Sequence, residues 1–339
     1  VIFLIPGAIA LVVEPIVFLL SDRYPRKWFV TGGLALMAVG AVASALAPDP
    51  ITLSLAIGVW WIAIGVASSL AQATLVDRDP ERRARTLARW TLASLGGDLL
   101  APAVLAAFAA LALSWRDAFL LVGAVLALAA LAMLPQPGHA FATGESEDDE
   151  ESLWTSFRAA LRDRVLLLWL FGCALCDLLD EILVVFASLH ARHELGADPT
   201  DQAILLGAFM LGGAIGLVAL DRLLIRYSEQ RLLLLSALAC AASYAGWLLA
   251  DDIAVAVVLA FPVGATSAPL YPLAAARAYA RFPGRSGLVL AAQHLFTPLG
   301  LALPFLLGLV ADHAGTFVAL ALLGVQPLGL VVLLAVDRK

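Results

Sequence analysis

Long apolar stretches separated by short polar gaps run the whole length of the chain. Eleven are long enough to cross a bilayer, at about residues 1–20, 29–47, 51–76, 87–113, 117–135, 165–189, 202–220, 231–250, 253–275, 287–310 and 315–336. A hydrocarbon core takes about 20 apolar helical residues per crossing. Lipid leaves the backbone a choice of helix or closed barrel, and no ten-residue alternation of apolar and polar positions is present, so helices are predicted. Pro48-Asp49-Pro50, Ser114 to Asp117, Ala250 to Asp252 and Asp312 to Gly315 read as short polar turns between them. Pro262, Pro269 and Pro272 predict a kink within 253–275. The fold class expected is all-α, a polytopic transmembrane helix bundle.

Charge gives the spans a direction. Of the 21 lysines and arginines, all but Arg116 and Arg192 fall in alternate gaps or at the C-terminus. These hold Arg23, Arg26 and Lys27, then Arg78 to Arg89, Arg158 to Arg164, Arg222 to Arg231, Arg277 to Arg285, and the terminal Arg338 and Lys339. By the positive-inside rule those gaps face the cytoplasm. The expected location is therefore the plasma (cytoplasmic) membrane, multi-pass, with the C-terminus and residues 136–164 cytoplasmic.

Composition agrees, since 62% hydrophobic residues and a mean hydropathy of +0.94 exceed what a soluble core of this length buries. The net charge of −6 comes from one segment, for Glu145, Glu147, Asp148, Asp149, Glu150 and Glu151 supply six acids. Nothing points to nucleic-acid binding. The Pro, Gly, Ser and acid-rich stretch 136–164 is expected to be a solvated linker between an N-terminal bundle, 1–135, and a C-terminal six-helix bundle, 165–339.

The two bundles echo each other. Asp22-Arg23 recurs as Asp221-Arg222, an offset of 199, and Pro80 to Ala88 matches Pro283 to Ala291 at 203. Pro102 and Pro304 follow inside the next spans. A parallel repeat of this length implies two like-oriented halves with a midplane site between them.

At these residues the chain resembles the major facilitator superfamily. The family's loop between its second and third helices carries a pattern close to Gly-x-x-x-Asp-Arg-x-Gly-Arg-Lys/Arg, which Phe18-Leu19-Leu20-Ser21-Asp22-Arg23-Tyr24-Pro25-Arg26-Lys27 largely fits. Both glycines are replaced, by Phe18 and Pro25. The resemblance makes Asp22, Arg23, Arg26 and Lys27 a conformational latch bracing neighbouring helix ends. It also aligns residues 1–20 with the family's second helix, so that its first helix is expected to be missing from this chain.

The sharpest chemistry lies in Asp177, Asp180 and Glu181, three acids near mid-depth of the span 165–189. Ionised and facing lipid they would cost on the order of 7–10 kcal/mol, so they face protein or water, or carry protons. Asp177 and Glu181 are four apart and share a helical face, with Asp180 slightly to one side. Crowding and burial favour the protonated form, which points to proton coupling or cation binding. Polar packing between helices is the alternative. Cys173 and Cys176 lack the further ligands a soft metal site needs, and no metal is expected. His190 and His193 read as solvated residues at the outer end of this span.

Further candidates for the cavity are Glu14 beside Pro15, Asp98 before Pro102, and the strip of Gln293, His294 and Thr297. The segment around Asp98 resembles only loosely the Gly-x-x-x-Gly-Pro-x-x-Gly-Gly signature of the family's antiporters. Trp60 and Trp61 sit near mid-span, away from the interfacial belts, either stacking on a solute or packing.

What the resemblance implies is a secondary active transporter working by alternating access. Proton-coupled efflux of a small organic or drug-like solute is the expected mode. Proton symport or uniport for metabolite uptake is the alternative; a non-transporting membrane receptor or assembly partner is the reading from a different class. An enzyme would need a nucleophile with its base or a metal cluster, and neither pattern is visible. No cofactor is expected beyond the proton gradient, and the partners expected are a small-molecule solute and the lipid bilayer, with the chain a monomer.

Overall fold

Each apolar stretch is helical in the computed structural model, which describes residues 4–141 and 153–337. In chain order the helices are α1 (Leu4–Ser21), α2 (Arg26–Leu46), α3 (Pro50–Arg78), α4 (Arg83–Ala110), α5 (Trp115–Met133) and the short α6 (Leu153–Ala160). There follow α7 (Arg164–Asp177), α8 (Leu183–His193), α9 (Pro199–Leu223), α10 (Glu229–Leu248), α11 (Ile253–Ser267) and α12 (Leu270–Ala280). The last four are α13 (Ser286–Gln293), α14 (Thr297–Ala314), α15 (Thr316–Leu323) and α16 (Val325–Asp337). Among the described residues there is no strand, and nine helical stretches are long and apolar enough to span a membrane. The other two predicted spans are α1 and the rod formed by α7 and α8. The acidic run from Glu145 to Glu151, and Arg338 and Lys339, lie outside the described residues.

The polar turns act as helix caps. Asp49 and Thr52 form a reciprocal box at the start of α3, as do Ser114 and Asp117 at α5 and Asp198 and Asp201 at α9. Each box satisfies amides that a helix start leaves unpaired, an effect of about 1 kcal/mol per cap. The proline-rich span breaks between α11 and α12, at Ala268 and Pro269, close to the centre of the predicted kink.

Packing gathers the chain into two units. The first comprises Val1–Glu81, Leu100–Arg162 and Phe282–Leu295. In it α2 lies against both α3 and α5, with Met37, Ala63 and Ala67 at the centre and Leu34, Trp60, Ile64 and Leu126 around them. Helix α1 packs on α3 and α13. The second unit comprises Arg82–Leu99, Asp163–Arg281 and Phe296–Lys339. Its tightest pair is α9 with α11, where a Cβ on Gly212 would strike the Phe261 carbonyl and one on Gly264 would strike that of Phe209. Small residues there let backbones touch, the main source of helix association where water exclusion is absent. Arg277 binds Asp337 at 2.7 Å and lies 4.7 Å above the Trp169 ring, tying α12 to α16 and α7.

One histidine departs from expectation. His190 is buried rather than solvated, with Nδ1 3.3 Å from the Thr316 hydroxyl and its ring 6.1 Å from that of Trp247. The helix continues three residues past it and packs that turn against α15, which sequence spacing does not reveal.

Candidate functional site

The rod from Arg164 to His193 is not a uniform α-helix. Between α7 and α8 the residues Leu178–Ile182 form a π turn, with the Leu183 amide bonded five residues back to the Leu178 carbonyl. Asp180 and Glu181 lie in this turn and Asp177 immediately precedes it. The expectation of a regular α-helix through these acids is corrected accordingly, because a π turn takes in an extra residue. Asp177 and Asp180 are half-buried and Glu181 is exposed. None of the three accepts a hydrogen bond or joins an ion pair among the described residues, and the charged groups nearest them are one another.

A contact from another helix reaches this turn. Leu178 N–H bonds three residues back to the Leu175 carbonyl, and Leu179 N–H donates to Gln326 Oε1 of α16 at 2.7 Å. Gln326 is wholly buried. Sequence reading passed over it, although it is the lone amide side chain within the span 315–336, which is a usable signal in lipid.

In the first unit the structure joins two candidates that the sequence left separate. Glu14 of α1 and His294, in the 3₁₀ turn after α13, stand 3.1 Å apart between Oε2 and Nε2, and Phe18 packs 5.4 Å from the imidazole. Glu14 is buried, with its carboxylate against Gly65 of α3. A charged imidazole at this distance would offset the buried carboxylate. Gln293 is half-buried at the end of α13. Asp98 is exposed on α4 without an ion pair among the described residues. Trp60 belongs to the core of its unit, edge-on to Phe119 at 6.4 Å, whereas Trp61 is exposed.

The Asp22 loop builds a network at the end of α1. Arg26, 1% exposed, holds Asp22 with one guanidinium nitrogen and Asp77 with the other, the latter at 2.8 Å. Asp22 also accepts the Gly287 and Leu288 amides at 3.0 and 2.7 Å, and Ser286 Oγ donates to Asp77 at 2.5 Å. Since α13 has no side-chain cap of its own, Asp22 supplies one from another helix, where a negative charge suits the amide end. Burial pushes the Asp22 carboxyl above its usual range, while Arg26 and the two amides oppose that shift. Lys27 donates to the Leu134 and Gln136 carbonyls at 2.7 and 2.6 Å, closing the end of α5, and Arg23 is exposed. Asp77 was missed in the sequence because it sits beside Arg78 at a span end, where an acid reads as a boundary.

The repeat reappears in the second unit. Asp221, at the end of α9, is gripped by Arg85 and Arg89 from the start of α4, each with its Nε at 3.0 Å. Position 85 corresponds to 288 through the offset of 203, so both acids bind the equivalent helix start, one through amides and the other through guanidinium groups.

Among the described residues no group of three or more His, Cys, Asp or Glu side chains is arranged to hold a metal ion. An apolar crevice lined by Leu183, Ala187, Leu205, Phe209, Trp247 and Val263 has no charged group in its lining.

Comparison with known proteins addresses the whole chain. A sequence model described as Major Facilitator Superfamily matches residues 1–179 and 170–339. No curated protein matches. Among solved structures, the fucose:proton symporter of E. coli is 16% identical with a TM-score of 0.79, over 96% of this chain and 88% of that one. The human organic anion transporter MFSD10 is 18% identical with a TM-score of 0.75, over 97% and 82%. A bacterial homologue of the iron transporter ferroportin, in an outward-facing state, is 16% identical with a TM-score of 0.76, over 100% and 90%. At these identities the likeness is one of fold.

Proposed function

Because the chain belongs to the major facilitator superfamily, we propose that it is a secondary active transporter driving a small organic solute out of the cell in exchange for protons. The observation that carries the reading is the acid turn. Asp177 and Asp180 are half-buried at the middle of a membrane rod, with neither a basic partner nor a hydrogen bond among the described residues. A helix keeps such groups in lipid at a cost of about 2.5–3.5 kcal/mol each if ionised, a cost that reversible protonation removes. Proton binding there supplies a driving ion without a cofactor.

The test is solute movement in proteoliposomes with the purified chain, screened by counterflow against sugars, organic anions and lipophilic cations. A pH gradient, acid on the side opposite the solute, should accelerate accumulation of at least one of them. Acceleration only when acid and solute start on the same side would make the protein a symporter instead. Counterflow of a solute indifferent to pH gradients of either sense would remove proton coupling from the account.

A further inference from the structure

Gln326 is a costly residue to place where it stands. It is wholly buried in α16, and its Nε2 finds no hydrogen-bond partner among the described residues, so half of its amide goes unsatisfied. An apolar side chain of the same size would avoid that penalty. What Gln offers in return is the other half, Oε1, which takes the Leu179 amide at 2.7 Å. That amide lies where α7 gives way to the π turn, between the Leu178 bond to Leu175 and the Leu183 bond to Leu178. Without an acceptor, a displaced amide in an apolar interior returns to a carbonyl of its own helix, and the turn closes to α geometry.

We propose that Gln326 is the positioning residue of the acid turn: by accepting the Leu179 amide it holds the π turn open and so sets where Asp180 and Glu181 point relative to Asp177. The contact crosses from α16 to the rod over a sequence separation of 147 residues, so it is a tertiary device rather than a local preference. Closing the turn would rotate Asp180 and everything beyond it about the rod axis while Asp177 stayed in place. The remaining titratable groups that interact with Asp180 are the Cys176 and Cys240 thiols, both buried. The proposal rests on the reading of Asp177 and Asp180 as proton sites and adds the group that orients them.

Dicyclohexylcarbodiimide, which modifies protonated carboxyl groups in apolar surroundings, reads this orientation without knowledge of the solute. The full chain, purified in detergent, is labelled as wild type, Gln326→Met and Gln326→Glu, and the adducts at positions 177 and 180 are quantified by peptide mass spectrometry. Gln326→Met keeps the volume and removes the acceptor; Gln326→Glu keeps an acceptor oxygen and loses the unused donor. The ratio of label at 180 to label at 177 should change about threefold or more in Gln326→Met, the population shift that loss of one buried hydrogen bond produces. It should stay at the wild-type value in Gln326→Glu. An unchanged ratio in folded Gln326→Met overturns the proposal and leaves the proton-site reading intact. Absence of label from both acids in the wild type overturns that reading and the proposal with it. Should Gln326→Met not fold, Gln326→Glu decides alone: a wild-type ratio supports the assignment and an altered one contradicts it.

Discussion

Arg26 has both arms of its guanidinium committed, one to Asp22 and one to Asp77, at a place only 1% exposed. Removing it leaves two buried carboxylates facing each other with no countercharge. Arg26→Met should therefore lower stability by about 3–5 kcal/mol, the usual cost of breaking a buried ion pair from one side. Thermal unfolding in detergent measures this, and adding Asp22→Asn and Asp77→Asn to the same chain should recover part of the loss. A wild-type melting temperature for the single variant would show that the network does not hold α1, α2 and α3 together. Much at this scale was legible: Asp22, Arg26 and Lys27 stand out because their types and spacing repeat a known loop. Asp77, Ser286 and the pairing of Glu14 with His294 were not, since each contact joins residues far apart in sequence through packing that no local pattern encodes.

Helix α13 depends on a neighbour for its start. A Cβ on Gly287 would meet the Phe18 carbonyl, Asp22 Oδ1 at 2.6 Å and Ser21 Oγ at 2.7 Å, so nothing larger than glycine fits where Asp22 caps the helix. Gly287→Ala should cost about 1–3 kcal/mol through overpacking. Gly300→Ala in α14, where nothing lies within 4 Å, should instead gain about 0.5–1 kcal/mol from the reduced backbone freedom of the unfolded chain. Opposite shifts in melting temperature are the expected result; equal shifts would mean that α13 is not docked through its first turn. Elements as such were readable, because a membrane demands long apolar runs and proline punctuates them, as at Pro269. The π turn was not readable. The contact that reaches it comes from Gln326 on α16, 147 residues away, and no local spacing encodes such a contact.

For the whole molecule, the internal repeat proved the most informative feature after hydropathy. It places an acid at the end of α1 and of α9, and the structure gives each the corresponding partner, the start of α13 for Asp22 and the start of α4 for Asp221. Family membership follows from the chain at large, whereas the proposed proton coupling would rest on a few side chains, because fold alone does not supply it. The measurement that bears on it most directly is accumulation of a transported solute in proteoliposomes under an imposed pH gradient, compared with counterflow at equal pH, for wild type, Asp177→Asn and Asp180→Asn. Loss of gradient-driven accumulation in at least one variant, with counterflow preserved, is the predicted result. Gradient-driven accumulation at the wild-type level in both would contradict the account, making the acid turn structural.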